Sequence, residues 1–238
     1  MWKWIAVSLL GVVCAAANAQ FPDLKGLLGA RPSPSSGVSD DQAAAGLKEA
    51  LQVSTGKAVG LTGRKDGYFG NEAIRIAMPE KLRMVEKGLR AVGYGPKVDE
   101  FVLSMNRAAE RAAPAAKDIF VAAIREMSFD DARRILGGGD TAATDYFREK
   151  TSGRLKASFR PVVEKSMQQS GVTQRYDDLM GRYKSIPFSG GVSFDVNDYV
   201  VDQALAGLFY MVAQQEKEIR TNPAARVTDL LKSVFGGR

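Results

Sequence analysis

Between Phe101 and Ala123 the chain places small and apolar residues at helical intervals, and this run constrains the fold more tightly than any other feature of the sequence. At about 100° per residue, Phe101, Met105, Ala108, Ala112, Ala116, Ile119 and Ala123 fall into one stripe. Its alanines let a second helix approach closely, so the stripe predicts a helix packed inside a helical assembly. Polar residues flank it. Asn106, Glu110 and Lys117 form one row, and Arg107, Arg111 and Asp118 form another on the far side. Phe120 and Ile124 continue the Asn106 row as apolar residues, so that flank is expected to be partly covered. Pro114 lacks an N–H and should kink or restart the helix. Two readings of the rows stand side by side. In one they are solvated or paired along their own helix; in the other Asn106, Arg107 and Glu110 point into a shared polar cleft.

The remaining segments read as helices with short punctuation. Ser39 and Gln42 have capping-box spacing ahead of Leu47, Leu51, Ala58 and Leu61. A turn-rich stretch from Thr62 to Asn71 follows, and Ile74 and Ile76 suggest at most one very short extended segment. Pro79 suits the first position of a helix carrying Leu82, Val85, Leu89 and Val92, stopped by Gly93 to Pro96. The central helix should run to Met127, and Ser128 to Asp131 should cap a short helix ending at Leu136. Gly137 to Thr141 leads into a run through Tyr146 and Phe147, and Ser152 to Gln169 reads as a further segment interrupted by Pro161. Helical intervals recur at Tyr176, Leu179, Met180 and Tyr183, before a loop at Ser185 to Gly191. From Asn197 to Arg220, Val201, Leu205, Leu208, Phe209, Val212 and Ile219 share a face. Asn222 and Pro223 open a last helix with Val227, Leu230, Leu231 and Val234. The expected fold is all-α: one compact multi-helix bundle over residues 39–238, of about eight or nine helices, some kinked at Pro.

The first residues read as export machinery. Lys3, the apolar run Ile5 to Ala16 and the small-residue pattern Ala17 to Ala19 predict a secretory signal over residues 1–19, cleaved after Ala19. That run is too short to span a membrane. Cys14 follows Val13 where a lipid-modified signal would have a small residue, so lipid anchoring there is disfavoured. Residues 20–38, with Pro22, Pro32, Pro34 and neighbouring Ser and Gly, read as a flexible tether. The expected location is therefore periplasmic or secreted. Cleavage would remove both Trp and the single Cys, and lower the formal charge of +6 by the one unit carried by Lys3. The chain has no His. Without imidazole or thiolate, Ser-His-Asp relays, cysteine nucleophiles, common zinc sites and disulfides are excluded from the mature chain. No cofactor or metal site is expected. The slight positive excess favours an anionic partner such as a lipid head group, but is too small to suggest nucleic acid.

Three features stand out as candidate sites. Glu216 falls within the apolar face of the 197–220 helix, where a carboxylate is costly unless paired; Arg220, one turn on, could reach it, as could an arginine of the central helix, or the side chain near the helix end snorkels to water. Asn106, Arg107, Glu110, Glu216 and Arg220 together are the candidate polar cleft. A secondary candidate is the turn holding Arg64, Lys65 and Tyr68, with basic and aromatic groups for an anionic or planar ligand; otherwise Tyr68 and Phe69 simply tuck that turn onto the core. The glycine run at 137–139 lacks the spacing of a phosphate loop, so it reads as a junction between a helix C-terminus and an N-cap.

Several of these segments taken together resemble a known family. Gly46 to Leu51, Asp66 to Tyr68, Met105 to Glu110, Ala142 to Phe147, Tyr199 through Gly207 to Phe209, and Arg226 to Leu231 are similar to DUF4197, an exported bacterial family known as a domain of unknown function. The resemblance covers roughly residue 40 to the end and implies one domain; it brings no activity or site residue. The expected role is a non-enzymatic binding or scaffold protein of the periplasm, holding an apolar or anionic ligand between helices. Alternatives are an enzyme using Glu110 or Glu216 as acid or base beside an arginine, and an adaptor for a protein partner in the cell envelope.

Overall fold

Ser39 starts the first helix as its spacing predicts. Its hydroxyl accepts from the Gln42 N–H at 3.2 Å, and its own N–H donates to Gln42 Oε1 at 3.1 Å. The computed structural model describes residues 39–169, 195–225 and 232. The expected signal segment, the tether, the Tyr176–Tyr183 helix, the 185–191 loop and the apolar positions of the last helix lie outside these residues.

Seven α-helices are present among the described residues: α1 Asp40–Gly63, α2 Arg83–Ala91, α3 Gly95–Ala112, α4 Ala116–Glu126, α5 Phe129–Gly137, α6 Ala142–Gln169 and α7 Val196–Thr221. The α3–α4 pair is one column interrupted at Pro114, where Ala113–Ala115 tightens into a 3-10 turn, so the described residues form six rods, all helical. That is fewer than the eight or nine expected. Part of the difference lies at Pro161, which does not divide 142–169: α6 runs through it. Pro161 is exposed while Leu155, Phe159 and Val163 are buried, so the lost hydrogen bond faces water and packing keeps the rod whole. Pro79 precedes a 3-10 turn, Glu80–Leu82, and α2 begins only at Arg83. No strand forms among the described residues. Ile74 and Ile76 are buried on either side of exposed Arg75, in a segment without ladder bonds.

α7 lies against α6, α1 and α3, and α3 also packs on α6. Where α4, α6 and α7 meet, Phe120 contacts Phe147 edge-on at 5.2 Å and Phe209 at 6.2 Å. The alanine stripe behaves as its size requires: Ala108, Ala112, Ala116 and Ala123 have no exposed surface. A Cβ at Gly63 would sit 3.1 Å from Pro114 Cγ, so the end of α1 presses on the kink of the column.

Candidate functional site

The row that flanks the alanine stripe is a clamp for the chain between α1 and α2. Asn106 is wholly buried. Its Oδ1 accepts from the Ile76 N–H at 2.9 Å, and its Nδ2 donates to the carbonyls of Ile76 and Val102, both at 2.8 Å. A side-chain amide thus satisfies a backbone segment that has no neighbouring strand. One turn on, Glu110 Oε1 accepts from the N–H groups of Tyr68 and Phe69, each at 3.2 Å. Its other oxygen meets Arg107 Nη1 at 2.6 Å, and Arg107 Nη2 reaches Asp66 at 2.7 Å. Burial opposes the Arg107 charge, but hydrogen bonds to Glu110 and Asp66 outweigh it and raise its pKa above the usual range. Tyr68 lies at the base of the loop, fully buried, with its hydroxyl donating to the Ala204 carbonyl at 2.6 Å. Burial, with Glu110 nearby, pushes its phenol well above the ordinary value.

Glu216 and Arg220 are organised around a different junction. Glu216 is 4% exposed. Its oxygens accept from the N–H groups of Ala143 and Thr144 at 2.9 Å and from the Thr144 hydroxyl at 2.8 Å. Arg220 Nη2 lies 2.9 Å from Glu216 and 2.9 Å from the Ile135 carbonyl. The carboxylate therefore covers the N-terminus of α6, and the guanidinium covers the C-terminus of α5, each with the sign that a helix end favours. The turn at 137–141 joins those two ends. An anion does sit at its helix N-terminus, and that anion is the chain's own Glu216.

Among the described residues no hydrogen bond or ion pair joins these two groups, so the five candidate cleft residues occupy two separate places. Asn106, Arg107 and Glu110 hold the loop; Glu216 and Arg220 hold the α5–α6 junction. Neither Arg107 nor Arg111 of the central helix reaches Glu216: Arg111 donates instead to the Ser166 hydroxyl of α6 at 2.9 Å. The crevice lined by Leu47, Leu51, Ala143, Glu216 and Arg220 holds only about 10 Å³, too little for more than a single water.

The larger hollow lies over the loop that Glu110 supports. About 530 Å³ of open groove is lined by Leu61, Arg64, Asp66, Asn71, Glu72 and Met211, with Gly67 and Gly70 among its other lining residues. Arg64 of the secondary candidate set lines it, Lys65 is exposed at the next position, and Tyr68 is its foundation rather than its wall. Asp66 adopts a left-handed conformation, φ 61°, and its ion pair with Arg107 holds it there. Gly67 has to be glycine, because a Cβ would fall 2.4 Å from the Leu61 carbonyl oxygen. Phe69 lies under Arg75, whose guanidinium is 4.3 Å from the ring centre. Sequence reasoning did not name Asp66, Asn71, Glu72 or Met211 as site residues. The Asp66–Gly67 pair is a local turn signal that could have pointed to the first, whereas only folding brings Met211 to the loop, where it receives the Asn71 amide at 3.6 Å.

Among the described residues no group of three or more His, Cys, Asp or Glu is placed to hold a metal ion. No curated relative and no solved structure matches the chain. The family model for a protein of unknown function, DUF4197, matches residues 37–236, nearly the whole chain, and the protein belongs to that family.

Proposed function

We propose that this is an exported, non-enzymatic binding or scaffold protein whose ligand-facing surface is the groove over residues 64–73. The observation that carries this reading is a groove of about 530 Å³ with a left-handed residue in its wall, supported from beneath by buried Glu110. Strained backbone held by a rigid support is typical of positions kept for contact with a ligand. Arg64 and Lys65 form no ion pair among the described residues, whereas the charge of Asp66 is taken by Arg107. A small molecule bearing a carboxylate or phosphate would be held at the Arg64 end of the groove, with Lys65 beside it, away from the Glu72 carboxylate in the same wall and resting on Met211 and Leu61. Against the carboxylate-enzyme alternative stands the chemistry of the two acids. Both oxygens of Glu110 and both of Glu216 already accept hydrogen bonds from the chain. A general acid or base needs an oxygen that faces substrate.

Native mass spectrometry of the protein taken from its own host tests this reading beside an Arg64→Glu/Lys65→Glu variant. A bound small anion that is lost in the variant, with the melting temperature unchanged, is the expected result. Retention of the same mass by the variant overturns the assignment to this groove. Absence of bound mass, together with no amide shift at 64–73 on adding phosphate or carboxylate, overturns the binding role itself.

A further inference from the structure

Helix α2 is held to the domain by one face. Leu82, Val85 and Leu89 are buried, and among the described helices α2 packs chiefly against α3. Met84, turned away from that face, is 70% exposed, and Val92, just past the helix end beside Val85 on the wheel, is 65% exposed; the other exposed large apolar side chains, Val53, Phe129 and Tyr210, reach no more than 43%. At about 100° per residue, Met84, Gly88, Ala91 and Val92 share an arc of roughly 100°. Among the described residues, a Cβ built at Gly88 would meet nothing within 4 Å, so none of them covers the middle of this stripe.

The charges around it are unbalanced. Arg83 pairs with Glu80 at 2.6 Å, and Arg90 pairs with Glu86 at 3.0 Å and Asp99 at 2.7 Å, so the acids of this segment are neutralised. Lys81 and Lys87 are exposed and form no ion pair among the described residues. Uncovered apolar side chains beside uncommitted lysines are the features of a helix that lies in a membrane interface. A second copy of the chain is a poorer occupant. It would bring like-charged faces together, and the two large side chains offer far less than the roughly 800 Å² per partner of a stable interface. No helix among the described residues is long and apolar enough to cross a membrane, so contact through α2 is at the surface.

We propose that the outer face of α2 seats the protein on a bilayer containing anionic lipid, with Met84 and Val92 at the acyl boundary and Lys81 and Lys87 against lipid phosphate. This is a surface separate from the groove of the proposed function, and either assignment can fail without the other. Flotation of the protein, as its host produces it, with phosphatidylglycerol vesicles and with phosphatidylcholine vesicles tests it. Weak, reversible partition into the anionic vesicles is expected, falling at least about tenfold in Met84→Gln/Val92→Gln. Lys81→Gln/Lys87→Gln should bind less and lose much of the salt dependence. These positions are exposed, so both variants should keep the wild-type melting temperature, which separates lost binding from lost folding. Equal binding by wild type and the apolar variant overturns the proposal, as does equal binding to both lipids. A wild-type dimer that Met84→Gln/Val92→Gln dissociates would also overturn it, identifying the face as a contact between copies.

Discussion

Glu216 shows what a buried charge does in this protein. It accepts from two N–H groups, one hydroxyl and one guanidinium, and truncating it would leave Arg220, 10% exposed, facing orphaned helix-end N–H groups. Glu216→Ala should therefore destabilise by about 3–5 kcal/mol, the range for breaking a buried pair, measured by urea denaturation. Asp66 is the useful contrast. Its side chain is 49% exposed, so loss of its pair with Arg107 in Asp66→Asn, which keeps a side chain that tolerates the left-handed backbone, should cost only about 0.2–1 kcal/mol. Equal losses in the two variants would contradict the difference in burial. Tyr68 supplies a pH dependence. Its folded pKa lies above the ordinary value of about 10, so the folded chain keeps a proton that the unfolded chain releases. The stability linked to this group is full below about pH 10 and declines as pH rises above it. The denaturation midpoint should fall as the pH is raised from about 10 to about 11, and fall less in Tyr68→Phe.

At the scale of elements, the side-chain-capped helix starts were the readable part. The boxes at Ser39 and at Ser128 with Asp131 need only residues three apart, and both formed. The stop of α2 is equally local: Gly93 takes φ +87°, and the Tyr94 N–H returns to the Leu89 carbonyl at 2.9 Å. Pro161 was misread because its local effect is real but is offset by packing along the rest of α6. Gly207 in α7 gives a test in which two principles oppose each other. Alanine has the better helix propensity by about 1 kcal/mol. A Cβ there, however, would lie 2.7 Å from Tyr68 Cε1 and 3.1 Å from Ile74 Cβ. Overpacking of about 1–3 kcal/mol should win, so Gly207→Ala lowers the melting temperature. A higher melting temperature would mean that the loop yields and is not clamped.

Across the whole molecule, stability should be uneven in a way the packing dictates. α7 buries Val200, Val201, Ala204, Leu208, Phe209 and Val212 against α1, α3 and α6, whereas α2 rests on α3. Native-state hydrogen exchange should find the central amides of α7 opening only near the global free energy, and those of α2 well below it. Matching protection in the two helices would show that α2 folds as one unit with the rest. A loosely attached α2 also fits an element that meets a membrane, because contact there does not disturb the core.

The candidate site was half legible. Asn106, Glu110 and Glu216 stood out because polar side chains on an apolar flank must be satisfied by something, and composition and periodicity reveal that need without naming the partner. By itself the sequence determined the helical class, the capped starts at Ser39 and Ser128 and most of the buried faces, since these depend on neighbours within a few residues. Tertiary structure alone decided that Glu110 meets the Tyr68 and Phe69 amides, that Glu216 caps α6, and that Met211 completes the groove wall. Those pairings join residues tens to more than a hundred positions apart, and a hydrogen bond's direction is fixed only once the packed helices have set where each group lies.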